Sequence, residues 1–257
     1  MGHSEQRVAL VTGGAQGIGR AIALALANAG VDVAIVDLNP DGVASAVAEL
    51  AATGRQAFGF TGDVSSLAFA QEAIAKTVAA AGALHVLVNN AGVFALTHLL
   101  DDFERALTDW EHIVGTNLFG SYLFGRACAP LLVASGGGDI VNVSTDHVRP
   151  PPGRPTGGSA AMDVYDASKW ALDGLTQAWA RALRKSNVRV NALCMGATDT
   201  PMLRAALPAA SAAEIASWLR PEQIARVLIE LLREGPDGRS GENIGLWPGH
   251  PVELPRR

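Results

Sequence analysis

The chain has 257 residues, of which 49% are hydrophobic, and this length suits one large α/β domain better than two. A formal net charge of −5 argues against a nucleic-acid partner, which would favour a basic surface. No uninterrupted apolar run approaches the ~20 residues that cross a bilayer, so we expect no membrane partner. Cys128 and Cys194 lie in different predicted elements, which predicts buried free thiols and a cytoplasmic protein.

Short apolar segments alternate with helical patterns along the chain. The first strand runs into a glycine pair, and the first predicted helix is closed by Gly30. Predicted strands cover residues 8–11, 33–36, 57–60, 86–88, 140–143, 188–193 and 241–247. Predicted helices cover residues 18–28, 41–52, 67–80, 110–134, 172–183 and 221–232.

Alternation of short, β-branched strands with helices is typical of a parallel sheet covered on both faces. We therefore predict an α/β fold of the Rossmann type, with a doubly wound parallel sheet in a single domain spanning residues 1–257. In such sheets, ligands bind beyond the carboxyl ends of the strands. The Pro- and Gly-rich stretch at 149–158 is better explained as a loop excursion than as a domain linker.

A glycine-rich turn joins the first strand to the first helix, with the sequence Thr12-Gly13-Gly14-Ala15-Gln16-Gly17-Ile18-Gly19. Glycine lets the backbone approach a pyrophosphate, and a helix N-terminus offers free N–H groups and a positive dipole end. Asp37 ends the second strand, where a carboxylate can bond the adenosine ribose hydroxyls and repel a 2′-phosphate. No arginine follows closely, so the sequence favours NAD over NADP. The alternative for Asp37 is an ordinary surface aspartate.

Further motifs follow the glycine turn in a recognisable order. Asn89-Asn90-Ala91-Gly92 comes after the fourth strand, Asn117 lies in the long helix, and the last motif is Tyr165-Asp166-Ala167-Ser168-Lys169. In order and approximate spacing, these motifs resemble the short-chain dehydrogenase/reductase family over residues 8–249. The turn and the resemblance together predict the cofactor-binding residues Gly13, Gln16, Gly17, Ile18, Gly19, Asp37, Leu38, Asp63, Val64, Asn90, Ala91, Gly92, Tyr165, Lys169, Gly196, Thr198 and Thr200. Met195 departs from the family, which usually has proline there.

Tyr165 and Lys169 are four residues apart, so on a helix their side chains project from the same face. Alcohol oxidation needs a base for the hydroxyl proton, and the reference pKa of tyrosine, ~10, is too high near neutrality. A cation ~4 Å away, at an effective dielectric of ~20, contributes ~4 kcal/mol and lowers this pKa by ~3 units. We therefore expect Lys169 and an oxidised nicotinamide to bring the pKa of Tyr165 to ~7.

The resemblance also implies a hydroxyl residue after the fifth strand that positions the substrate oxygen. Thr145 stands at the place of the family's usual serine, and Ser144 would serve if the strand end were shifted by one residue. Adjacent side chains on a strand point to opposite faces, so one of the two should serve, and we favour Thr145. The resemblance further gives Lys169 a bond to the nicotinamide ribose and gives Asn117 a water that relays protons.

Two segments should form the walls of the substrate pocket, near residues 145–163 and 200–218. Asp146 and His147 in the first segment could recognise a polyhydroxylated or charged substrate. A solvent-exposed loop histidine is the alternative for His147. Apolar residues between 202 and 218 suggest a lid or, equally, a surface helix packed on the sheet. No ligand spacing suggests a metal site.

The sequence therefore predicts an enzyme that transfers a hydride between NAD and a secondary alcohol or ketone. Tyr165 would be the acid/base, Lys169 would tune its pKa, Thr145 or Ser144 would position the substrate, and Asn117 would support the proton relay. Two alternatives stay open: an NADP-dependent carbonyl reductase, and a non-catalytic protein that senses a dinucleotide. The resemblance also implies a homotetramer or homodimer.

Overall fold

A single parallel sheet organises residues 7–256, the part of the chain that the computed structural model describes. Its strand order is β3-β2-β1-β4-β5-β6-β7, which confirms the doubly wound Rossmann-type prediction. The chain winds outward from β1 to β3 and then returns beside β1, so a crevice opens between β1 and β4. The strands are β1 Val8–Thr12, β2 Asp32–Asp37, β3 Ala57–Thr61, β4 Val86–Asn89, β5 Gly138–Thr145, β6 Val188–Met195 and β7 Asn243–Leu246.

Helices connect the strands and cover both faces of the sheet. The helices are α1 Gly17–Asn28, α2 Pro40–Ala51, α3 Leu67–Ala81, α4 Phe103–Val114, α5 Ser121–Ala134, α6 Asp163–Leu183, α7 Pro201–Ala206, α8 Ala212–Ser217 and α9 Pro221–Arg233. A π-helical segment, Gly115–Gly120, joins α4 to α5, and a 3₁₀ turn, Arg184–Ser186, follows α6.

Side-chain alternation along each strand divides the core into two layers. In β1, Ala9 and Val11 pack towards α1, α2 and α9, whereas Val8 and Leu10 pack towards α3, α5 and α6. All five residues of β1 are buried, because a central parallel strand has helices on both of its faces. Cys128 and Cys194 are buried free thiols, as predicted.

Three predicted helices differ in the structure. The helix expected at 110–134 begins at Phe103 and is interrupted by the π-helical segment, whose Gly120 lies against Val64 too closely for a Cβ. The helix expected at 172–183 begins earlier, at Asp163. The sequence did not predict this start because the first turns are polar and show no apolar periodicity. The segment 202–218 contains most of α7 and all of α8, two short helices, and it stays largely exposed. The alternative of a single helix packed on the sheet is therefore wrong. No helix among residues 7–256 is both long and apolar enough to span a membrane.

Candidate active site

The motifs meet at the carboxyl edge of the sheet. Thr12, Asp37, Asn89, Thr145 and Met195 are the last residues of β1, β2, β4, β5 and β6. Because parallel strands end on the same side, segments far apart in sequence become neighbours there. The candidate site is the cleft that these segments enclose.

The glycine turn after β1 is packed too tightly to accept side chains. Gly13 and Gly17 have φ values of 64° and 53°, in the left-handed region that favours glycine. A Cβ at Gly19 would lie 2.1 Å from the carbonyl oxygen of Gly13 and 2.5 Å from the side-chain nitrogen of Asn90. Gln16 precedes α1 without a side-chain capping bond, so the N–H groups of the first turn suit an anionic ligand.

Asp37 lies directly beside this turn. One carboxylate oxygen accepts from the backbone N–H of Ala15 at 3.1 Å, and the other accepts from the N–H of Asn39 at 3.1 Å. These bonds fix the carboxylate, and an ionised carboxylate has further lone pairs for two ribose hydroxyls. Leu38, the next residue, is 63% exposed, so its side chain can pack against an aromatic ring bound at the edge of the cleft.

Asn90 fastens the end of β4 to the glycine turn. Its amide donates to the carbonyl oxygens of Thr12 at 2.9 Å and Gly13 at 3.0 Å. In return, the Thr12 hydroxyl accepts from the N–H groups of Asn90 and Ala91, both at 3.0 Å. The amide of Asn90 thus binds the protein itself, which makes Asn90 a positioning residue for the cleft.

Asp63 and Val64 follow β3, where the resemblance implies contact with an adenine. The Asp63 carboxylate accepts from the N–H and the hydroxyl of Ser65, both at 2.8 Å. Val64 is buried and packs against Gly120, where a Cβ would lie 2.8 Å from Val64 Cγ2. The local structure holds both residues in place, and their contact with a cofactor stays a prediction.

The segment after β6 forms the opposite side of the cleft. Gly196 donates its N–H to the end of β7 at 2.9 Å and accepts at its carbonyl from the Thr198 hydroxyl at 2.9 Å. The Thr200 hydroxyl caps α7, and a Cβ at Gly17 would lie 3.3 Å from the Thr200 methyl carbon. The segment and the glycine turn therefore face each other, although Met195 replaces the expected proline.

Tyr165 and Lys169 both lie on α6 and share one face of it. The Lys169 ammonium nitrogen is 5.8 Å from the centre of the Tyr165 ring and donates to the Val143 carbonyl oxygen at 2.9 Å. The Thr145 hydroxyl lies close enough to the Tyr165 hydroxyl to lower its pKa, and Phe94 packs edge-on against the ring with centroids 5.2 Å apart. The structure brings these two side chains together, as their four-residue spacing predicted.

The protein's own groups do not by themselves lower the pKa of Tyr165. Burial raises the pKa of Tyr165 to about 12, and the nearby carboxylates of Asp166 and Asp146 add to this rise. Burial also lowers the pKa of Lys169 to about 8, because the charged ammonium loses its hydration. A Tyr165 pKa of ~7 therefore depends on the positive charge of an oxidised nicotinamide, and it stays a prediction.

Thr145, and not Ser144, lies on the tyrosine side of β5. The Thr145 hydroxyl lies beside the Tyr165 hydroxyl and lowers the pKa of Tyr165. Ser144 is 4% exposed and points to the other side, towards the Cys194 thiol, where its hydroxyl has no hydrogen-bond partner among the described residues. Side-chain alternation at the strand end therefore gives Thr145 the position from which a hydroxyl can reach a substrate oxygen.

Asn117 lies in the π-helical segment and is completely buried. Its side chain accepts from the N–H of Val93 at 2.8 Å and donates to the carbonyl oxygen of Val93 at 3.0 Å. It also donates to the Ser168 hydroxyl at 3.2 Å, next to Lys169 in sequence. Asn117 therefore ties α6 to the segment after β4, and its role in a water relay stays a prediction.

His147 and Asp146 are buried by their neighbours, so the exposed-loop alternative for His147 is wrong. His147 Nδ1 lies 2.6 Å from Asp166 Oδ1, and the imidazole is 14% exposed. Arg154, from the Pro-rich loop, donates to Asp146 Oδ2 at 2.9 Å. The loop thus folds back onto the start of α6 and forms a wall beside Tyr165.

The family model for short chain dehydrogenases matches residues 7–210 of this sequence, most of the chain. The chain belongs to the short-chain dehydrogenase/reductase family. It is therefore an oxidoreductase of the class that the motifs predicted. The glycine turn, the asparagine motif and the tyrosine–lysine pair all fall within the matched residues.

Relatives and solved structures in this family cover from about three quarters to almost the whole of the chain. The 3-oxoacyl-acyl-carrier-protein reductase of Thermotoga maritima is 30% identical over 252 residues, which are 95% of this chain and 98% of the relative. D-threitol dehydrogenase of Mycolicibacterium smegmatis is 35% identical over 73% of this chain and 68% of its own. The crystal structure of acetoin dehydrogenase from Enterobacter cloacae has a TM-score of 0.81, with 32% identity and 96% coverage of both chains.

Three residues that pack around Tyr165 and the neighbouring pocket wall had no role predicted from the sequence. Phe94 packs on Tyr165, Asp166 holds His147, and Arg154 holds Asp146. Asp166 had a weak signal, since a carboxylate immediately after the tyrosine opposes its ionisation. The partners of Arg154 and Phe94 depend on how two loops fold, which the spacing of residues in the sequence does not determine.

Proposed function

We propose that the chain is an NAD-dependent dehydrogenase that interconverts a small secondary alcohol and its ketone. The observation that carries this proposal is the hydroxyl pair of Tyr165 and Thr145, with the Lys169 amine one helical turn further on. Two hydroxyl groups can both bond one substrate oxygen, and an adjacent amine can take part in moving its proton. The pair lies at the same edge of the sheet as the glycine turn.

The cleft fits a nicotinamide dinucleotide. Glycines that leave no space for a Cβ keep the turn tight, and the free N–H groups at the N-terminus of α1 suit a pyrophosphate. The carboxylate of Asp37 suits ribose hydroxyls and repels a 2′-phosphate, which favours NAD over NADP. When bound, the oxidised nicotinamide supplies the hydride acceptor.

The chain's own residues supply the proton chemistry and the positioning. Tyr165 would take the alcohol proton, and Thr145 would hold the same oxygen by a second hydrogen bond. Burial keeps the proton on Tyr165 until a positive charge is close, so the tyrosine starts as a neutral phenol. The Lys169 amine, whose pKa is lowered by burial, would accept and pass on the phenol proton, while Asn117 and Ser168 hold this stretch of α6 in place.

The relatives support a small oxygenated substrate. Acetoin and threitol are small molecules that carry more than one oxygen, and they appear in the names of two similar dehydrogenases. A third relative is a reductase, so an NADP-dependent carbonyl reductase is the competing activity. The cofactor preference separates the two.

The chain contains two tyrosines, which gives the catalytic test a matched control. We expect Tyr165→Phe to bind NADH normally and to lose at least ~100-fold in kcat, the range of a lost general acid/base. Tyr122→Phe removes the same hydroxyl from a half-exposed position on α5 and should retain full turnover. Turnover of Tyr165→Phe within a few-fold of the unmodified enzyme would refute the assignment. A chain that binds NADH and oxidises no alcohol in a broad panel would support the dinucleotide sensor.

Calorimetry with NADH and NADPH tests the role of Asp37. We expect tighter binding of NADH, because the carboxylate repels the 2′-phosphate. Asp37→Asn should reduce the difference between the two affinities. Equal or tighter binding of NADPH by the unmodified protein would instead favour the carbonyl reductase.

We also propose that the chain forms a homotetramer or homodimer in the cytoplasm. Phe119 and Trp170 are 46% and 43% exposed on the helical segments that carry Asn117 and Tyr165, which suits a subunit contact. The free cysteines suit a reducing compartment. Light scattering at micromolar concentration checks the assembly, and a monomer would contradict it.

A further inference from the structure

The wall of the pocket beside Tyr165 contains a pair of polar groups that do not bond each other. His147 Nε2 lies 3.9 Å from Asp146 Oδ1. This separation exceeds a hydrogen bond, yet it leaves room for one oxygen atom at about 2.8 Å from both atoms. The pair is well shielded, since the two side chains are 14% and 9% exposed.

The surrounding protein holds both groups rigidly in this arrangement. His147 Nδ1 is 2.6 Å from Asp166 Oδ1, and the other oxygen of Asp166 accepts from the Gly158 N–H at 2.7 Å. Because a carboxylate accepts hydrogen bonds, Nδ1 is the donor to Asp166. The other ring nitrogen, Nε2, faces Asp146. Arg154 occupies the far oxygen of Asp146 at 2.9 Å, which leaves the near oxygen for a ligand.

The position of the pair relates it to the reacting centre. Asp146 directly follows Thr145, and the His147 ring lies 6.1 Å from the Tyr165 ring in an edge-to-face arrangement. Phe94 covers another part of the same tyrosine ring with an apolar surface. A substrate whose alcohol oxygen reaches Tyr165 and Thr145 therefore has a polar wall near one end and an apolar wall near the other.

A hydroxyl group matches this gap better than other oxygen groups. Its proton can be donated to the Asp146 carboxylate or to His147 Nε2, and its oxygen can accept from a protonated imidazole. A carboxylate or phosphate would be repelled by Asp146 and Asp166, which flank the imidazole on two sides. An apolar group would leave both polar atoms without a partner.

We infer that Asp146 and His147 bind a second hydroxyl of the substrate, so the preferred substrates are vicinal diols and polyols and not simple alcohols. This inference rests on the proposed dehydrogenase function and names its substrate class. The two residues determine specificity and leave the proton transfer to Tyr165. Asp166 acts through His147 and is a positioning residue.

The test compares two alcohols that differ in one hydroxyl: sec-butanol and the butanediol with hydroxyls on its two inner carbons. For the unmodified enzyme with NAD, we expect kcat/KM for the diol to exceed that for sec-butanol by at least about tenfold, as for a hydrogen bond to a charged group. His147→Leu should abolish this preference, mainly through KM for the diol. His147→Gln should restore part of it, because an amide also donates and accepts.

His112→Leu provides the matched control, since His112 is exposed on α4 and outside the site. It should keep the diol preference of the unmodified enzyme. Equal use of both alcohols by the unmodified enzyme, or an unchanged preference in His147→Leu, would overturn the inference and leave the dehydrogenase proposal intact. If the unmodified enzyme oxidised neither of these alcohols and no alcohol in a wider panel, both the inference and the dehydrogenase proposal would be overturned.

Discussion

The Tyr165 phenol should resist ionisation unless a positive charge is added beside it. Burial raises its pKa from 10.0 to about 12, and a rise of ~2 units corresponds to ~3 kcal/mol against the phenolate. Lys169 has its pKa lowered to about 8, so the amine becomes neutral well before the phenol ionises. To be half ionised at pH 8, Tyr165 therefore needs its pKa lowered by ~4 units, which corresponds to ~5 kcal/mol.

The oxidised nicotinamide is the cation best placed to supply most of this energy. One unit charge ~4 Å away at an effective dielectric of ~20 contributes ~4 kcal/mol. Because tyrosinate absorbs in the near ultraviolet, a Tyr122→Phe protein reports the ionisation of Tyr165 alone. Without dinucleotide, we expect less than half ionisation at pH ~10, where a free tyrosine is half ionised. Saturating NAD should shift the titration down by ~3 units.

NADH provides the control, since its nicotinamide ring is uncharged and should shift the titration much less. A midpoint at or below pH ~10 without dinucleotide would refute the argument from burial. Equal shifts with NAD and NADH would refute the argument from the ring's charge. In either case, Tyr165 would become a base by another route.

Three further predictions concern other parts of the molecule. Gly19→Ala should weaken NADH binding at least ~10-fold by calorimetry, because its Cβ would meet a backbone carbonyl at 2.1 Å; Gly174→Ala, with open space around it, is the control. Arg189→Met should lower the free energy of unfolding in urea by ~3–5 kcal/mol, because it removes a buried partner of a carboxylate; no change would refute this. Thr145→Val should reduce kcat at least ~10-fold more than Ser144→Ala does, and the opposite order would reverse their assignment.

Local features of this chain were predictable from sequence because backbone geometry controls them. The alternation in β1, the glycine turn and the four-residue spacing of Tyr165 and Lys169 each depend on residues within a few positions of one another. The order of the motifs then predicted the sheet, since each motif had to follow a strand end. These features led to the family and to most of the candidate site.

Only the tertiary structure could decide which groups lose water and which distant groups meet. Desolvation depends on everything packed around a side chain, so the rise that burial causes in the pKa of Tyr165 could not be predicted from the spacing of Tyr165 and Lys169. The choice of Thr145 over Ser144 depends on where β5 ends relative to α6. The contact between His147 and Asp166 joins residues 19 apart through a proline-rich loop, whose path no local propensity determines.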